Sequence, residues 1–228
     1  MDTPVYKFEP QDYDVVYEPA EDTFLLLDAL EDEQDTIKGR QPLVCVEIGP
    51  GSGVLISAIA KCFPAGQTHC IAFDINPAAC RMTQRTSQLN RVAVDVVNMD
   101  LLGGLHPNSV DLLIFNPPYV PTQPIDGSLE EHAETFRSDG GQALIHSWAG
   151  GIDGMVVTDR VLNDLDRVLS AVGVFYLLLV KENNPSYVLD KVRRRGFLGT
   201  TIKERRIRGE HLYVLRIERK PDEANSLQ

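Results

Sequence analysis

Short apolar runs alternate with helical segments along most of this 228-residue chain, and this alternation restricts its fold more than any other feature. Such runs predict strands that are buried on both faces, and the helical segments between them supply the crossovers that parallel strands need. The predicted strands are 43–48, 68–73, 92–98, 111–115, 174–180, 199–207 and 211–218, and the predicted helices are 19–30, 54–62, 77–90, 154–169 and 186–195. The sequence therefore predicts an α/β fold: a mostly parallel seven-stranded sheet with helices on both faces and a C-terminal antiparallel hairpin.

Four stretches lie outside this alternation. Residues 1–16 show no regular pattern, residues 31–41 are typical of a charged loop, and the residues from 220 onward are typical of a frayed tail. Residues 121–147 are rich in Pro, Gly, Asp and Glu. A loop of this length inside a compact domain is usually a lid or is disordered, so we predict a lid or substrate channel, with disorder as the alternative.

The composition narrows the class of protein. The length predicts one domain, and the net charge of −11 and pI near 4.9 disfavour a protein that holds nucleic acid mainly through phosphates. The polar N-terminus and the lack of a long apolar run predict neither a signal peptide nor a membrane span. The four cysteines show no CxxC pair, so we expect a reduced cytosolic or nuclear setting and no metal site.

The charge is spread unevenly along the chain. Residues 1–40 carry twelve acids and three bases, whereas residues 191–220 carry eleven bases and three acids. A solvated face on the last helix and hairpin is the simpler interpretation, and a docking surface for an acidic or RNA-bound partner is the alternative.

The tetrapeptide Asn116-Pro117-Pro118-Tyr119 directly follows the predicted strand 111–115. Ligands of open α/β sheets bind at the carboxyl ends of the strands. Two prolines fix φ and remove two backbone donors, so the Asn116 side chain and the Pro117 carbonyl are left as a rigid pair of acceptors. Two acceptors beside an aromatic ring suit a planar NH2 group. The alternative is a plain turn after a strand, with Tyr119 in the core.

Carboxylates also stand at the ends of the first three predicted strands, as Glu47, Asp74 and Asp100. Singly, such an acid is often a helix cap or turn residue, but an acceptor at four successive strand ends predicts a ligand crevice. Asp74 can accept two ribose hydroxyls, and Asp100 can accept from an adenine amino group while Leu101 packs on the ring. The glycine-rich turn at 49–53 lets the backbone pass close under a nucleoside, although its third glycine comes one residue too early for the dinucleotide fingerprint.

Five sequence blocks carry a family resemblance: residues 17–23 (YEPAEDT), 47–53 (EIGPGSG), 116–119 (NPPY), 148–151 (WAGG) and 181–185 (KENNP). With these blocks the chain resembles the class I S-adenosylmethionine-dependent methyltransferases of the HemK type, and in particular the eukaryotic release-factor glutamine methyltransferases. The resemblance implies a Rossmann-like fold in which residues 1–40 are a cofactor-covering segment and helix, 41–219 the methyltransferase region of the same domain, and 220–228 a tail.

The resemblance also implies what the crevice binds. S-adenosylmethionine, which leaves as S-adenosylhomocysteine, would contact Tyr17, Thr23, Glu47, Gly49, Gly51, Asp74, Ile75, Asp100, Leu101 and Asn116. The segment around Thr23 would close over the cofactor, Glu47 and Gly49 would face its methionine part, and Asn116, Pro117, Pro118 and Tyr119 would hold the acceptor amide. The family methylates the glutamine of a Gly-Gly-Gln motif in a translation release factor. The eukaryotic enzyme works with a small zinc-binding activator subunit.

The chemistry expected of Asn116 is positioning, because a neutral carboxamide takes up no proton near neutral pH. Its oxygen and the Pro117 carbonyl would accept the two N–H groups of the substrate amide, turn its lone pair toward the methyl carbon and stabilise the charge that develops, while Tyr119 stacks on the amide. Exocyclic amines of nucleic acid bases, such as N6 of adenine, present the same planar NH2 group and stay an alternative. Lysine methylation fits less well, because an ammonium must first lose a proton. A binding scaffold that has lost catalysis is a further alternative.

The third predicted strand lies at a sheet edge in the order usual for this fold. Residues 92–97 are unusually apolar for an exposed edge. We therefore predict that the partner subunit adds a strand there, and cover by a neighbouring loop is the alternative.

Overall fold

The computed structural model describes residues 1–122, 144–145 and 147–220. Its strands are β1 Val44–Ile48, β2 His69–Asp74, β3 Asp95–Asn98, β4 Val110–Phe115, β5 Leu169–Val180, β6 Phe197–Ile207 and β7 Glu210–Arg219. Its helices are α1 Glu21–Asp32, α2 Gln34–Arg40, α3 Val54–Lys61, α4 Pro77–Leu89, α5 Val156–Val168 and α6 Pro185–Arg194. The predicted tail from residue 221 and most of the predicted lid, 123–143 and 146, lie outside the described residues.

The strands form a seven-stranded sheet in the order β3-β2-β1-β4-β5-β7-β6. The first five strands are parallel, and β7 pairs antiparallel with both β5 and β6. From β1 in the centre, β2 and β3 extend the sheet to one side, and β4 and the later strands extend it to the other. The carboxyl ends of β1 and β4 therefore lie side by side. The predicted fold class is confirmed, including the edge position of β3.

Alternate side chains of the central strands fill two separate cores. In β4, Leu112 and Ile114 belong to a cluster with α1, α2 and α3, whereas Leu113 and Phe115 belong to a cluster with α5 and α6. This two-residue period puts apolar side chains on both faces, which explains why these strands appear in the sequence as continuous apolar runs.

Several elements differ from the sequence prediction, and β5 starts at Leu169, five residues earlier than predicted. Residues 31–41 are not a loop: helix α2 forms there, anchored by the single buried side chain of Ile37. The third strand is four residues long and starts at Asp95, not at residue 92. Helix α5 begins at Val156, since Gly154 occupies a left-handed turn in which an added Cβ would lie 1.9 Å from the Tyr119 carbonyl oxygen.

The acidic N-terminal and basic C-terminal regions pair with each other. Arg205 of β6 contacts Glu21 and Asp28 of α1, and Arg216 of β7 lies 2.8 Å from Glu33. Further pairs join Lys203 to Asp32 and Arg40 to Glu218. Three of the eleven C-terminal bases, Lys203, Arg205 and Arg216, thus pair with acids of the N-terminal region, and their side chains stay partly exposed.

The N-terminal segment forms no helix or strand of its own, as predicted, but it packs on α4. Val5 exchanges two hydrogen bonds with the Asn90 side chain, at 2.9 and 2.7 Å, and the Asn76 side chain donates to the Val15 carbonyl at 2.7 Å. This packing brings residues 15–17 to the carboxyl edge of the sheet. No helix in the described part of the chain has the length and hydropathy needed to cross a membrane.

Candidate active site

A cavity of about 490 Å³ lies at the carboxyl ends of β1, β2, β3 and β4. Every residue predicted to bind cofactor or substrate contributes to its wall: Tyr17, Thr23, Glu47, Gly49, Gly51, Asp74, Ile75, Asp100, Leu101, Asn116, Pro117, Pro118 and Tyr119. The predicted crevice therefore exists, and its four strand-end acceptors converge on one space. Which part of a ligand each residue contacts stays a prediction.

Glu47 is the next-to-last residue of β1 and has almost no exposed surface (1%). Its Oε2 accepts a hydrogen bond from the Ile56 amide near the start of α3, at 2.8 Å. Burial raises the pKa of the Glu47 carboxyl to about 8, and the charge of Asp74 adds to the rise. A carboxylate in this position is poised to ionise when a cation enters the cavity.

Asp74 ends β2, opposite the glycine-rich turn. Its two oxygens accept from the amides of Asn76, at 2.8 Å, and Gly51, at 3.3 Å. Burial raises the pKa of the Asp74 carboxyl to about 6, although both hydrogen bonds oppose the rise. Gly51 has a positive φ of 51°, so glycine is needed for the turn that brings its amide to Asp74.

The third glycine of the turn has a packing role. Gly53 precedes α3 with φ 76°, and an added Cβ would lie 2.7 Å from the Cα of Thr83 in α4. The early position of this glycine, compared with the dinucleotide fingerprint, thus reflects close contact between α3 and α4.

Asp100 and Leu101 follow β3 at the far end of the cavity. The Asp100 carboxylate binds the Arg160 guanidinium of α5 through one nitrogen on each oxygen, at 3.2 and 2.5 Å. Leu101 has a φ of 48°, a conformation that bulky residues rarely adopt. Side chains of Ile75, Val156 and Val157 also contribute to the cavity wall.

Asp22, in the first turn of α1, organises the Asn116–Tyr119 end of the cavity. Its Oδ2 accepts from Asn116 Nδ2, at 3.0 Å, and from the Tyr119 hydroxyl, at 3.3 Å. Its Oδ1 accepts from the Thr23 amide, at 2.7 Å, and from the Tyr17 hydroxyl, at 3.4 Å. The buried carboxylate (4% exposed) thus holds α1, the segment before it and the tetrapeptide together.

This arrangement leaves Asn116 Oδ1 unpaired. The atom is buried and has no hydrogen-bond partner among the described residues. Since a carboxylate only accepts, Nδ2 is the atom that must face Asp22 and the oxygen must face the other way. Burial, together with the nearby Asp22 charge, raises the pKa of the Tyr17 and Tyr119 hydroxyls, so both stay protonated and donate to Asp22.

Asn183, in the turn after β5, fixes the other side of the tetrapeptide. Its Nδ2 donates to the carbonyls of Tyr119 and Asp153, and its Oδ1 accepts from the Val180 amide, each at 2.9 Å. The WAGG block approaches the tetrapeptide as well, since an added Cβ on Gly150 would lie 2.4 Å from the Pro118 carbonyl oxygen. The tetrapeptide is therefore held from both sides.

Three of these residues were missed by the sequence analysis: Asp22, Arg160 and Asn183. In the sequence, Asp22 stands out only as a member of the YEPAEDT block. Its proximity to Thr23 in the YEPAEDT block was a signal in the sequence, whereas the position of Arg160 next to Asp100 depends on how α5 crosses the sheet. Tyr119 lines the cavity, but its ring is largely in the core and its hydroxyl binds Asp22; stacking on a substrate amide stays a prediction.

The strand order, the glycine-rich turn after β1 and the acceptors at the ends of four adjacent strands define a class I methyltransferase. The comparison with known proteins agrees: residues 21–146 match the methyltransferase small domain family. The chain is 42% identical over 208 residues to methyltransferase HEMK2 of Mus musculus, covering 90% of each protein. It is 38% identical over 237 residues to the eRF1 methyltransferase catalytic subunit mtq2 of Schizosaccharomyces pombe, covering 96% of each.

A solved structure extends these similarities. The E. cuniculi Mtq2–Trm112 complex, described as responsible for methylation of the eRF1 translation termination factor, contains a chain that is 28% identical. The superposition has a TM-score of 0.65 and covers 90% of this chain and 99% of that chain. This protein belongs to the methyltransferase small domain family, together with the HEMK2 and Mtq2 methyltransferases.

Proposed function

We propose that the protein transfers a methyl group from S-adenosylmethionine to the side-chain amide nitrogen of the glutamine in the Gly-Gly-Gln motif of a translation release factor. The observation that carries the proposal is the buried, unpaired Asn116 Oδ1 in the cavity wall. A buried acceptor without a partner costs free energy in the resting protein. An N–H donor of the substrate relieves that cost.

The cavity suits S-adenosylmethionine on three counts. The left-handed glycines at 49 and 51 present no side chain at two positions of the turn after β1. Acceptors for ribose and adenine follow β2 and β3, and the buried Glu47 suits a cationic amino-acid tail. When bound, the cofactor supplies an electrophilic methyl group on a sulfonium centre.

The residues of this chain then position the nucleophile. Asn116 Oδ1 and the Pro117 carbonyl accept the two N–H groups of the glutamine amide. With the cofactor bound, the fixed acceptors would direct the nitrogen lone pair toward the methyl carbon and stabilise the positive charge on nitrogen as the N–C bond forms and the C–S bond breaks. The nitrogen would then lose one N–H proton to solvent, because neither acceptor is a base. Asp22 has no contact with the substrate in this scheme; it keeps the Asn116 amide group in the productive orientation.

Base amines of nucleic acids are the competing substrates, because they too present a planar NH2 group. The strongly acidic chain weighs against them. The ion pairs between the C-terminal bases and α1 also reduce the basic charge that a phosphate backbone could use.

We further propose that a small zinc-binding activator subunit adds a strand at β3. The similarity to the Mtq2 chain of the Mtq2–Trm112 complex supports a partner, and β3 is an edge strand with Val97 exposed. The four free cysteines support a further proposal, that the protein works in the cytosol or nucleus.

A labelling experiment tests the proposed function. Purified protein with its activator is incubated with methyl-labelled S-adenosylmethionine and, separately, with release factor, adenine-containing oligonucleotides or histone tails. We expect label only on release factor, at the glutamine of its Gly-Gly-Gln motif, and loss of label when that glutamine is replaced. Label on oligonucleotide or on lysine contradicts the proposal.

A further inference from the structure

The bidentate ion pair between Arg160 and Asp100 lies in the cavity wall. Arg160 projects from α5 to Asp100, which follows β3, and both residues contribute to the wall. Each carboxylate oxygen accepts from a different guanidinium nitrogen, at 3.2 and 2.5 Å. This geometry fixes the carboxylate plane as well as its position, which a single contact does not do.

We propose that Arg160 is a positioning residue that sets the selectivity of the cofactor site for an adenine base, acting through Asp100. The proposal rests on the cofactor part of the proposed function, in which Asp100 accepts from the adenine amino group. It concerns which nucleosides the site accepts and makes no use of the identity of the protein substrate.

The exposure of the pair explains why Asp100 needs a positioning partner. The Asp100 side chain is 48% exposed, unlike the buried carboxylates of Glu47 and Asp74. A half-exposed aspartate samples several rotamers, and ordering it on ligand binding costs conformational entropy. Arg160 orders the carboxylate before the ligand arrives, so less of that cost falls on binding.

The pairing also determines which base is preferred. An oriented carboxylate attracts the 6-amino group of adenine and repels the 6-oxo group of hypoxanthine. A free guanidinium in the same place would do the opposite, because it donates to an oxo group. Nη1 and Nη2 each donate to Asp100, so the fork of Arg160 is aligned on the carboxylate and not on the base. A polar group fixed in this way produces selectivity because it stays without a hydrogen-bond partner when the wrong ligand binds.

The test measures binding of S-adenosylhomocysteine and S-inosylhomocysteine by calorimetry, with no protein substrate present. We expect Arg160→Gln to raise the Kd for the adenine ligand about five-fold, the size of a well-oriented ion pair, and to change the Kd for the inosine ligand by less than about two-fold. Arg160→Lys keeps the positive charge but loses the two-pronged contact of the guanidinium. Its preference for the adenine ligand over the inosine ligand should therefore lie between those of the wild type and Arg160→Gln.

Lys191→Gln is the matched control. Lys191 pairs with Asp159, the residue next to Arg160 in α5, at 2.8 Å, but it takes no part in the cavity wall. This variant removes an ion pair from the same helix, and we expect both dissociation constants to stay at the wild-type value. Thermal unfolding of all variants checks that each is folded.

A double-mutant cycle separates action through Asp100 from a direct effect. In an Asp100→Ala background, Arg160→Gln should leave the Kd for S-adenosylhomocysteine within about two-fold of the single variant. Equal losses for both ligands, or the same loss with and without Asp100, would overturn the proposal. If the wild-type protein binds neither ligand, the proposed function itself fails, which is a different result.

Discussion

At the scale of single residues, the two ends of the Asn116 amide have separate tasks. Nδ2 donates to Asp22, and Oδ1 is buried without a partner among the described residues. The sequence predicted the acceptor but not what orients it, because a run of residues at a strand end says nothing about a carboxylate 94 residues earlier in the chain. Strand-end chemistry can thus be predicted from local sequence, whereas its orientation depends on tertiary contacts.

The first prediction concerns Asn116 itself. We expect Asn116→Ala to lower kcat by a factor of about 100 to 1000, since removing one oriented hydrogen-bonding group costs roughly 3 to 4 kcal/mol of transition-state stabilisation. The Kd for S-adenosylhomocysteine should stay within about two-fold, because the other strand-end acceptors are unchanged. Steady-state kinetics and calorimetry measure both quantities. Normal turnover with intact cofactor binding would falsify the role given to Asn116.

The second prediction concerns Asp22. Asp22→Asn introduces an NH2 group that can face Asn116, so the Asn116 amide can turn over and present a donor to the substrate. We expect kcat to fall about 10- to 100-fold, in line with the loss of a charge-assisted hydrogen bond. Glu21→Gln is the control: Glu21 is the neighbouring acid but binds Arg205 on the surface, at 3.1 Å. Equal losses in the two variants would contradict an orienting role for Asp22.

The third prediction is a pH dependence of cofactor binding. The pKa of Glu47 is raised to about 8 in the folded protein by burial. A cationic cofactor favours the ionised carboxyl, so binding below about pH 8 releases a proton, and the affinity falls as the pH is lowered from 8 toward 6. Above about pH 8 Glu47 is already ionised and no proton is released.

Calorimetry at pH 7 in buffers of different ionisation enthalpy measures that proton directly. Glu47→Gln has no carboxyl to titrate, so its binding enthalpy should no longer depend on the buffer through this site. The carboxyl of Asp74, with its pKa raised to about 6, affects binding mainly at lower pH. Proton release of the same size in wild type and Glu47→Gln would rule out Glu47 as its source.

At the scale of elements, the turn after β5 holds the tetrapeptide in place through Asn183. Asn183 is 2% exposed and bonds three separate backbone groups. We expect Asn183→Ala to lower the free energy of unfolding by about 2 to 4 kcal/mol, because it leaves buried backbone groups unsatisfied. Chemical denaturation measures the change.

The neighbouring residue provides the control for this fourth prediction. Asn184 caps α6 through the Tyr187 amide, at 3.3 Å, and has a φ of 52°. Asn184→Gly keeps that backbone conformation and loses only the cap, so it should cost a few tenths of a kcal/mol to about 1 kcal/mol. If Asn183→Ala lowers the free energy of unfolding by no more than the control does, Asn183 does not hold the tetrapeptide in place.

The elements that the sequence predicted well are those with a strong apolar period. Strands β1 and β4, and residues 174–180 of β5, are buried on both faces, so almost every position carries a signal. Helix α2 was missed because one buried residue, Ile37, cannot establish a period. Strand β3 was predicted too long, since Val94 and Val96 pack on the core on one side only and the ladder to β2 begins at Asp95.

At the scale of the whole molecule, the charge asymmetry of the sequence is an internal complementarity. Acids of α1, and Glu33 between α1 and α2, meet bases of β6 and β7, so α1 is bound to the far half of the sheet. Each pair is partly exposed and contributes little alone. Together they fix where α1 begins, and therefore where Asp22 stands relative to Asn116. No count of charges along the chain could have shown this, because it depends on β6 and β7 folding back beside α1.

The two edges of the sheet differ in how they are protected, and the last prediction follows from that difference. Edge strand β6 carries Lys203 and Arg205, whereas the exposed centre of β3 is Val97. Charged side chains discourage strand addition, so β3 is the edge that accepts a partner strand. We expect Val97→Lys to abolish co-purification with the activator subunit and to lower methylation of release factor. The same change at Leu198 of β6, which has nearly equal exposure (41% against 42%), should leave both unchanged. A Val97→Lys protein that still co-purifies with the activator, or a wild-type chain that is monomeric and fully active alone, would show that the partner binds elsewhere or is not needed.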